Sequence, residues 1–217
     1  MEKFLDDGAD ILRSAAAPSD RRTSGLTPVT RSEVLEAALT LFASRGYHGT
    51  SLKDIAQAVG LRAPSLYNHI EAKSDLLVEI VFDTLTHVGA DLEEAIAAHA
   101  DLHDRLYAAT YVYALRHAVH RREALVVNQD ARHLPEHDLS RAQSMRRHQE
   151  RRFRQIISHG VAAGLFEVPS PKLASFAIRE MCVSAARWFH EGGDFTADDV
   201  ASNYAVQALR MVQGPIR

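Results

Sequence analysis

Apolar residues recur along most of the chain at the spacing of an amphipathic helix. Strand signals, such as alternating β-branched runs or an Asn-Gly hairpin turn, are nearly absent. A stripe at i, i+3, i+4, i+7 and i+8 is typical of a helix with one buried face. In the first such segment the stripe consists of Val34, Ala37, Ala38, Leu41 and Phe42. The pattern predicts an all-α chain.

Short polar and glycine signals mark the ends of the predicted helices. Thr30 with Glu33 and Ser51 with Asp54 form capping boxes, in which a side chain and a backbone N–H satisfy each other in both directions. Ser74 is the predicted N-cap of the fourth helix. The predicted helices cover about 30–45, 52–59, 63–70, 74–88, 102–120, 122–132, 136–163, 171–190 and 196–212.

The segment 51–70 predicts a helix-turn-helix. Ala56 is small enough for two helices to cross closely, and Gly60 tolerates the positive φ that a tight turn needs. Leu61 and Leu66 fill the wedge between the two helices. In this arrangement the second helix enters the major groove of DNA.

Two runs carry a family resemblance, Ala37 to Ser51 and Gly60 to Leu77. Together they resemble the signature of the TetR family of bacterial transcription regulators over about 31–78. The resemblance implies an all-α dimer in which three N-terminal helices bind DNA and a larger helical body binds a small effector. It divides the chain into an N-terminal arm (1–28), a DNA-binding domain (29–73) and an effector-binding and dimerisation domain (74–217).

The resemblance also implies roles for individual residues. Arg62 would pair with guanine at the start of the recognition helix, where Ala63 and Pro64 would pack on thymine methyls. Tyr67, His69 and Lys73 match positions that contact phosphates. The implied DNA-binding residues are Ser51, Lys53, Arg62, Ala63, Pro64, Ser65, Tyr67, Asn68, His69 and Lys73.

Composition narrows the class of protein. The 217 residues are 46% hydrophobic, enough for a sizeable core, and carry a net charge of −3. A single cysteine, Cys182, excludes an intrachain disulfide and lacks an evident paired base. No apolar run is long enough for a membrane span, and the acidic start is unlike a secretory signal, so we expect a soluble cytoplasmic protein.

Local charge agrees weakly with DNA binding. Between Arg21 and Asp75 seven basic residues face five acidic ones, a balance of 7 − 5 = +2 within a chain of −3. Arg21 and Arg22 in the arm could enter a minor groove. The alternative for the arm is a solvated tail.

The predicted helix 102–120 suggests an effector pocket. Thr110, Tyr113 and His117 share one arc beside Tyr107, which suits a mostly apolar pocket wall or ordinary core. In the helix 136–163, Arg146, Gln149 and Arg152 lie on or beside the apolar stripe. A buried arginine needs a partner, which could be an internal acid such as Glu123 or Asp130, or an anionic effector.

A second, weaker resemblance concerns the C-terminal run from Ala186 to Thr196. It looks like the corresponding part of TetR-type regulators of lipid, sterol or aromatic-acid catabolism, which sense acyl-CoA thioesters. This implies Arg146, Arg152 and Arg187 as candidate contacts to the phosphates of the thioester, whereas a core or interface role is the favoured interpretation of Trp188. The candidate effector-binding residues are Tyr107, Thr110, Tyr113, His117, Arg146, Gln149, Arg152, Arg187 and Trp188.

The last two predicted helices show apolar stripes that would need a partner helix from a second subunit. The stripes consist of Leu173, Phe176, Ala177, Met181 and Ser184, then Tyr204, Ala208, Leu209 and Val212. The expectation is a homodimeric repressor, without a cofactor, that binds a palindromic operator in double-stranded DNA and is released by a small hydrophobic or acyl-CoA-type effector that moves the fourth helix.

A competing interpretation uses the chain's twelve histidines. An all-α metal-dependent phosphohydrolase could assemble its site from His117, His120, His133, His137 and Asp138. A second acidic ligand is not obvious in the sequence, and a structural metal is the remaining alternative.

Overall fold

A computed structural model describes residues 29–213. Within that range the chain forms nine α-helices and no strand, so the all-α prediction is confirmed. The helices are α1 (Arg31–Arg45), α2 (Leu52–Ala58), α3 (Ala63–Leu66), α4 (Lys73–Ala97), α5 (Leu102–Val119), α6 (Arg121–Asp130), α7 (Glu136–Ala162), α8 (Pro171–Trp188) and α9 (Ala197–Val212). A 3-10 turn, Ala131–His133, follows α6. The arm with Arg21 and Arg22 lies outside the described residues.

The predicted capping boxes at the starts of α1 and α2 are both present, at Thr30 and Ser51. The prediction for α4 is wrong by one or two residues. Ala72 is its N-cap, and the Asp75 carboxylate accepts the Ala72 N–H at 2.8 Å, so Ser74 already lies in the first turn. Because Asp75 satisfies that N–H, the serine hydroxyl is not needed as a cap.

The hydrophobic core has two main clusters of buried side chains. The first joins α1–α3 and the first half of α4 to Val126 and Val127 of α6. The second lies among α4, α5, α7, α8 and α9, around Phe153, Ile157 and Ile178. The helices α1–α3 therefore share their core with α6, which comes much later in the chain.

One close approach fixes the end of α7. A Cβ atom built on Gly160 would lie 2.0 Å from Cδ2 of Phe166, far inside van der Waals contact. Phe166 is buried, and the chain after α7 is tied to the end of α9 where the Glu167 N–H donates to the Val212 carbonyl at 2.7 Å. Among residues 29–213, no helix combines the length and the apolar character needed to cross a membrane.

Candidate DNA-binding surface and effector cavity

The turn between α2 and α3 holds the two helices together tightly. Gly60 adopts φ +72°, and the Leu61 N–H donates to the Ala56 carbonyl at 2.8 Å. Ala56 and Leu66 are fully buried at the crossing. This is the helix-turn-helix that the sequence predicts, except that α3 ends at Leu66 and continues only as turns to Ile70.

The outer side of the α2–α3 unit carries side chains that are exposed to solvent. Arg62, Pro64 and Asn68 are exposed, and Tyr67 is 59% exposed although it follows the fully buried Leu66. Lys53 is exposed on α2. The remaining implied DNA contacts from this segment, Ala63, Ser65 and His69, are half-buried.

The end of the recognition segment is braced by α1 and α4. The guanidinium of Arg31 donates to the His69 carbonyl at 2.9 Å and pairs with Glu79 of α4. The backbone of His69 is therefore fixed against two other helices, which orients the exposed face without using the His69 imidazole.

Two of the implied DNA contacts, Ser51 and Lys73, already bond to other groups of the protein. The Ser51 hydroxyl donates to the Asp54 carboxylate at 2.6 Å and accepts the Asp54 N–H at 3.1 Å. These bonds also lower the pKa of the Asp54 carboxyl. The hydroxyl proton of Ser51 is thus used inside the protein, so a contact with phosphate would require it to leave Asp54.

Lys73 holds the loop between α1 and α2. Its ammonium donates to the carbonyls of Tyr47 and Thr50, both at 2.8 Å, and lies 4.1 Å from the centre of the Tyr47 ring. Partial burial lowers the pKa of Lys73. Since an ammonium has three donors, at most one remains for a phosphate. The main role of Lys73 in this structure is therefore to hold the loop between α1 and α2.

A narrow cavity of about 30 Å³ lies among α4, α5, α6 and α7. Such a volume holds about two water molecules. It is lined by Thr84, Leu85, Val88, Tyr113, Arg116, His117, His120, Ala124, Val127, Asn128, Arg146 and Gln149. Four of the predicted effector residues, Tyr113, His117, Arg146 and Gln149, therefore meet in one place.

Polar side chains of α7 connect the cavity walls. Gln149 donates to the Leu85 carbonyl of α4 at 3.3 Å and accepts from the Tyr113 hydroxyl at 3.4 Å. Arg146 donates to the Asn128 side chain at 3.0 Å and to the Val127 carbonyl at 3.4 Å. The partners of Arg146 are neutral, so its charge is not compensated by a bonded carboxylate.

His117 is neutral in this environment. Burial lowers its pKa to about 4, against the opposing effect of the bond to the Tyr113 carbonyl, and the charges of Arg179, Arg146 and Arg116 lower it further. Because a carbonyl only accepts, the 2.7 Å contact assigns the proton to Nδ1. Nε2 of His117 is then a hydrogen-bond acceptor at the cavity.

Arg179 on α8 is a candidate that sequence reasoning missed. It is 8% exposed, donates to the Tyr113 hydroxyl at 3.1 Å and stacks near the Tyr113 ring. Its Nε has no hydrogen-bond partner among residues 29–213. The sequence does contain a sign of its burial, because Arg179 is the one charged residue on the buried stripe of α8. The other members of that stripe include Ser175, Ile178, Cys182 and Val183.

Two predicted arginines of the effector set lie elsewhere. Arg152 donates through Nε to both oxygens of Glu93, at 2.7 and 2.9 Å, so its partner is an internal acid of α4. The named candidate acids were wrong: Glu123 lies near His120, and Asp130 accepts the Tyr47 N–H. Arg187 is exposed near the end of α8.

The other members of the predicted set are also outside the cavity. Tyr107 stacks on Tyr111 with ring centres 6.3 Å apart. The buried Thr110 hydroxyl donates to the Leu106 carbonyl of its own helix at 2.7 Å. Trp188 is 46% exposed and lines a separate groove along α9.

The predicted dimer stripes are only partly available to a partner. Leu173 and Phe176 are 67% and 40% exposed on α8. Ala208 and Val212 instead pack in the second core cluster of their own subunit, which corrects their assignment to the interface. Near the groove, α9 and the preceding loop expose other apolar residues, namely Phe195, Val206 and Met211.

The metal-site interpretation is not supported. Between residues 29 and 213, no three His, Cys, Asp or Glu side chains are grouped in a way that could hold a metal ion. His117 lines the cavity with His120, whereas His133 contacts His48 in the loop between α1 and α2. Burial raises the pKa of the Cys182 thiol, which disfavours the reactive thiolate form there.

Comparisons with known proteins agree with this geometry. The profile described as "Bacterial regulatory proteins, tetR family" matches residues 34–80, and "Tetracyclin repressor-like, C-terminal domain" matches residues 99–212. The repressor KstR2 of Rhodococcus jostii is 31% identical over 189 residues, covering 85% of this chain and 92% of that protein. KstR2 of Mycobacterium tuberculosis is 26% identical, covering 87% of this chain and 95% of its own length.

Solved structures give the same result. A TetR-family regulator from Rhodococcus RHA1 has a TM-score of 0.79 at 27% identity, covering 88% of this chain and all of its own. AibR, solved with isovaleryl coenzyme A and operator DNA, has a TM-score of 0.74 at 22% identity and covers 86% of this chain and 99% of its own. The latter likeness concerns the fold.

A helix-turn-helix on an all-α body, matched by both family profiles, is the architecture of a DNA-binding transcription regulator. The chain belongs to the TetR family. It is a transcriptional repressor by its relatives and its fold, and not an enzyme.

Proposed function

We propose that this repressor binds a palindromic operator as a homodimer and is released by an anionic, partly apolar effector of the acyl-CoA type. Because DNA is its target, we place it in the cytoplasm. The DNA contacts would come from the exposed side chains of the α2–α3 unit, with Arg62 reading bases and Lys53 and Tyr67 contacting phosphates. The exposed apolar side chains of α8 and α9 would meet their copies in the partner subunit.

The single observation that carries the effector proposal is the charge of the cavity wall. Arg116 and Arg146 line the cavity, and Arg179 reaches it through the Tyr113 hydroxyl. Arg116 pairs with Asp91, whereas the bonded partners of Arg146 and Arg179 are neutral, and the lining includes no acid. The buried guanidinium of Arg179 and the half-buried one of Arg146, neither bonded to a carboxylate, favour a ligand that brings its own negative charge.

The apolar lining and the relatives narrow the ligand class. Leu85, Val88 and Val127 would contact an acyl or ring portion. A related fold was solved with isovaleryl coenzyme A, and KstR2 is described as a ketosteroid regulator. A cavity of about 30 Å³ must widen to admit such a molecule, so ligand binding has to displace at least one wall.

The moving wall would be α4. This helix lines the cavity with Thr84, Leu85 and Val88, and its first residue, Lys73, holds the loop that precedes α2. A displacement of α4 would therefore reach the DNA-binding unit directly. An effector needs only about 1–3 kcal/mol of preference for the displaced state to weaken DNA binding five- to 150-fold.

The experiment is ligand titration by calorimetry, with acyl-CoA thioesters, the matching free acids and coenzyme A as probes. Binding should weaken at least tenfold in Arg146→Met but not in Arg147→Met, an exposed neighbour on the same helix. A mobility-shift assay on the DNA flanking the protein's own gene then asks whether the bound ligand releases the complex. Equal binding by both variants would refute the cavity assignment.

A further inference from the structure

We propose that His117 selects an effector whose acyl portion carries a hydroxyl group, because Nε2 of its ring presents an unused hydrogen-bond acceptor to the cavity. The inference rests on the effector cavity proposed above. It narrows the ligand from acyl-CoA thioesters in general to hydroxyacyl thioesters, and it makes His117 a specificity-determining residue.

The orientation of the His117 ring is fixed by its surroundings. The residue is 7% exposed, and its Nδ1 donates to the Tyr113 carbonyl, one turn earlier in α5, at 2.7 Å. The centres of the His117 and Tyr113 rings are 4.6 Å apart. With the proton on Nδ1, Nε2 carries a lone pair and no proton. The hydrogen bond of this ring within residues 29–213 is the one through Nδ1, so Nε2 faces the cavity without a protein donor.

Neighbouring donors of the cavity wall are directed elsewhere. The Thr84 hydroxyl donates to a carbonyl of its own helix at 2.7 Å, and the Tyr113 hydroxyl donates to Gln149 at 3.4 Å. The guanidinium of Arg146 donates to two groups of α6. A donor for Nε2 of His117 therefore has to come from solvent or from the ligand.

The charges around the ring restrict that donor to an uncharged group. Arg116 and Arg146 line the same cavity, and Arg179 reaches it through the Tyr113 hydroxyl. Burial and these charges keep His117 neutral, with its pKa lowered to about 4. A ligand ammonium would meet the same repulsion as a proton on the ring. A ligand carboxyl group would ionise beside the arginines and lose its proton. A hydroxyl group supplies the proton without either penalty.

The size of the cavity places the hydroxyl on the acyl portion. The space of about 30 Å³ is lined by His117 together with Leu85, Val88 and Val127. A ligand group that contacts those apolar side chains therefore lies close to the His117 ring as well. The same part of the ligand has to satisfy both, so a donor on the distant coenzyme A portion would not serve.

A ligand that lacks the hydroxyl should bind more weakly. In the free protein the lone pair of Nε2 is available to solvent. A plain acyl chain would exclude solvent and leave this buried acceptor of His117 unpaired, which is unfavourable, whereas a hydroxyl group replaces the lost bond. Sites that bond to a ligand hydroxyl discriminate strongly against the analogue without it for this reason.

The first test is calorimetry on the intact protein with acyl-CoA thioesters that differ by one hydroxyl group. Hexanoyl-CoA and octanoyl-CoA are each compared with derivatives hydroxylated at the second, third or terminal carbon. At least one hydroxylated thioester should bind the wild type about ten- to a hundredfold more tightly than its parent. The proposal is overturned if no hydroxylated member is preferred.

Two variants assign the preference to the ring. His117→Phe keeps an aromatic ring but has no acceptor nitrogen, so the preference for the hydroxylated thioester should disappear. His159→Phe, at an exposed position of α7, is the matched control and should keep the wild-type preference. An undiminished preference in folded His117→Phe would show that another group reads the hydroxyl. Thermal unfolding verifies that each variant is folded.

The second test requires no substitution and decides if His117→Phe does not fold. Long-range ¹⁵N NMR of the wild type at pH 7.5 should show His117 as the Nδ1–H tautomer. The preferred hydroxylated thioester should shift the Nε2 resonance to lower frequency, because that nitrogen gains a hydrogen bond. An Nε2–H tautomer, or an Nε2 resonance that does not change on binding, would overturn the proposal.

The outcomes separate this inference from the proposed function. Equal binding of hydroxylated and parent thioesters would retain the acyl-CoA effector and remove the role of His117. If no thioester binds, the acyl-CoA class is rejected, and the same pairs are measured as free acids. A hydroxyl preference that His117→Phe abolishes would then still support the inference, and the absence of a preference would overturn it.

Discussion

The proposed DNA-facing surface and the proposed effector cavity hold their cationic side chains in opposite ways. On the α2–α3 unit, Arg62 and Lys53 are exposed. In the body, Arg179 is buried with an unpartnered Nε, and Arg146 is bonded only to neutral groups. One region keeps its charges in water, and the other holds them inside the protein with incomplete partners.

The ligands proposed for the two regions would account for the difference. A duplex is a dense line of phosphates, so exposed and mobile cations suffice to bind it, at the cost of sensitivity to salt. A small anion offers one or two groups, so its recognition needs donors that are already placed in a poorly solvated site. Lys73 belongs to neither type, because its ammonium is mainly engaged in holding the loop before α2.

The largest effect is expected from Arg179→Met. Loss of a buried charged donor should weaken binding of an anionic effector by about 2–5 kcal/mol, while DNA binding without effector is retained. Calorimetry with the acyl-CoA thioester that binds the wild type most tightly measures the effector affinity. Fluorescence anisotropy with a duplex selected from a random pool by the wild type measures the DNA affinity.

The matched control for Arg179 is Arg187→Met on the exposed part of the same helix. Its effector affinity should remain that of the wild type. If Arg187→Met weakens effector binding as much as Arg179→Met does, the buried guanidinium of Arg179 has no special role in that binding.

A second prediction concerns His117 and pH. Its pKa is lowered to about 4, so the unfolded chain takes up the proton near 6.5 and the folded protein does so only near 4. The stability that this neutral histidine provides is complete above pH 6.5 and should be lost as the pH falls toward 4, by about 3 kcal/mol. His117→Asn keeps a donor toward the Tyr113 carbonyl but does not titrate in this range. Its free energy of unfolding, measured with urea, should therefore differ less between pH 7 and pH 4.5 than that of the wild type. An unchanged pH dependence would contradict the assignment.

Arg62→Ala tests whether Arg62 reads a base of the operator. If Arg62 reads a base, its removal should cost about 1–3 kcal/mol at one operator position and relax the preference there. Selection of binding sites from a random pool, compared between wild type and variant, measures the change. Identical selected sites would show that Arg62 does not read sequence.

The smallest effect is expected from Lys53→Ala. A phosphate contact from an exposed lysine should reduce the slope of log K against log salt by about 0.9, with nearly equal losses on specific and random duplexes. Anisotropy titrations at several salt concentrations give the slope. The exposed Arg147→Ala on α7 is the control, and its slope should match the wild type.

Local signals in the sequence predicted the DNA-binding unit well. The capping boxes at Thr30 and Ser51 and the glycine turn at Gly60 depend on residues within a few positions of each other, and all are present. The boundaries were less accurate where two neighbouring residues compete for one role. At the start of α4, Asp75 satisfies the N–H of Ala72 in place of a Ser74 cap.

The set of residues that line the cavity was predicted only in part, because residues that meet there or pair nearby are far apart in the chain. The helical arc correctly brought Tyr113 and His117 to one wall, but Glu93, the partner of Arg152, lies 59 positions away. Arg179 meets Tyr113 across 66 positions, and no periodicity within one helix predicts such a pair. Tertiary packing decides which polar residue of a stripe meets which neighbour.

The shared core of α1–α4 and α6 has a practical consequence for hybrid regulators. A chimaera that joins residues up to about 73 to a foreign body would separate Phe42 and Ile55 from Leu76 and Leu77, and would leave Val126 to an unrelated neighbour. The exchangeable unit therefore has to be defined by packing rather than by chain order. Moving α1–α3 and the first half of α4 of this protein onto another regulator therefore requires redesign of that regulator's sixth helix as well.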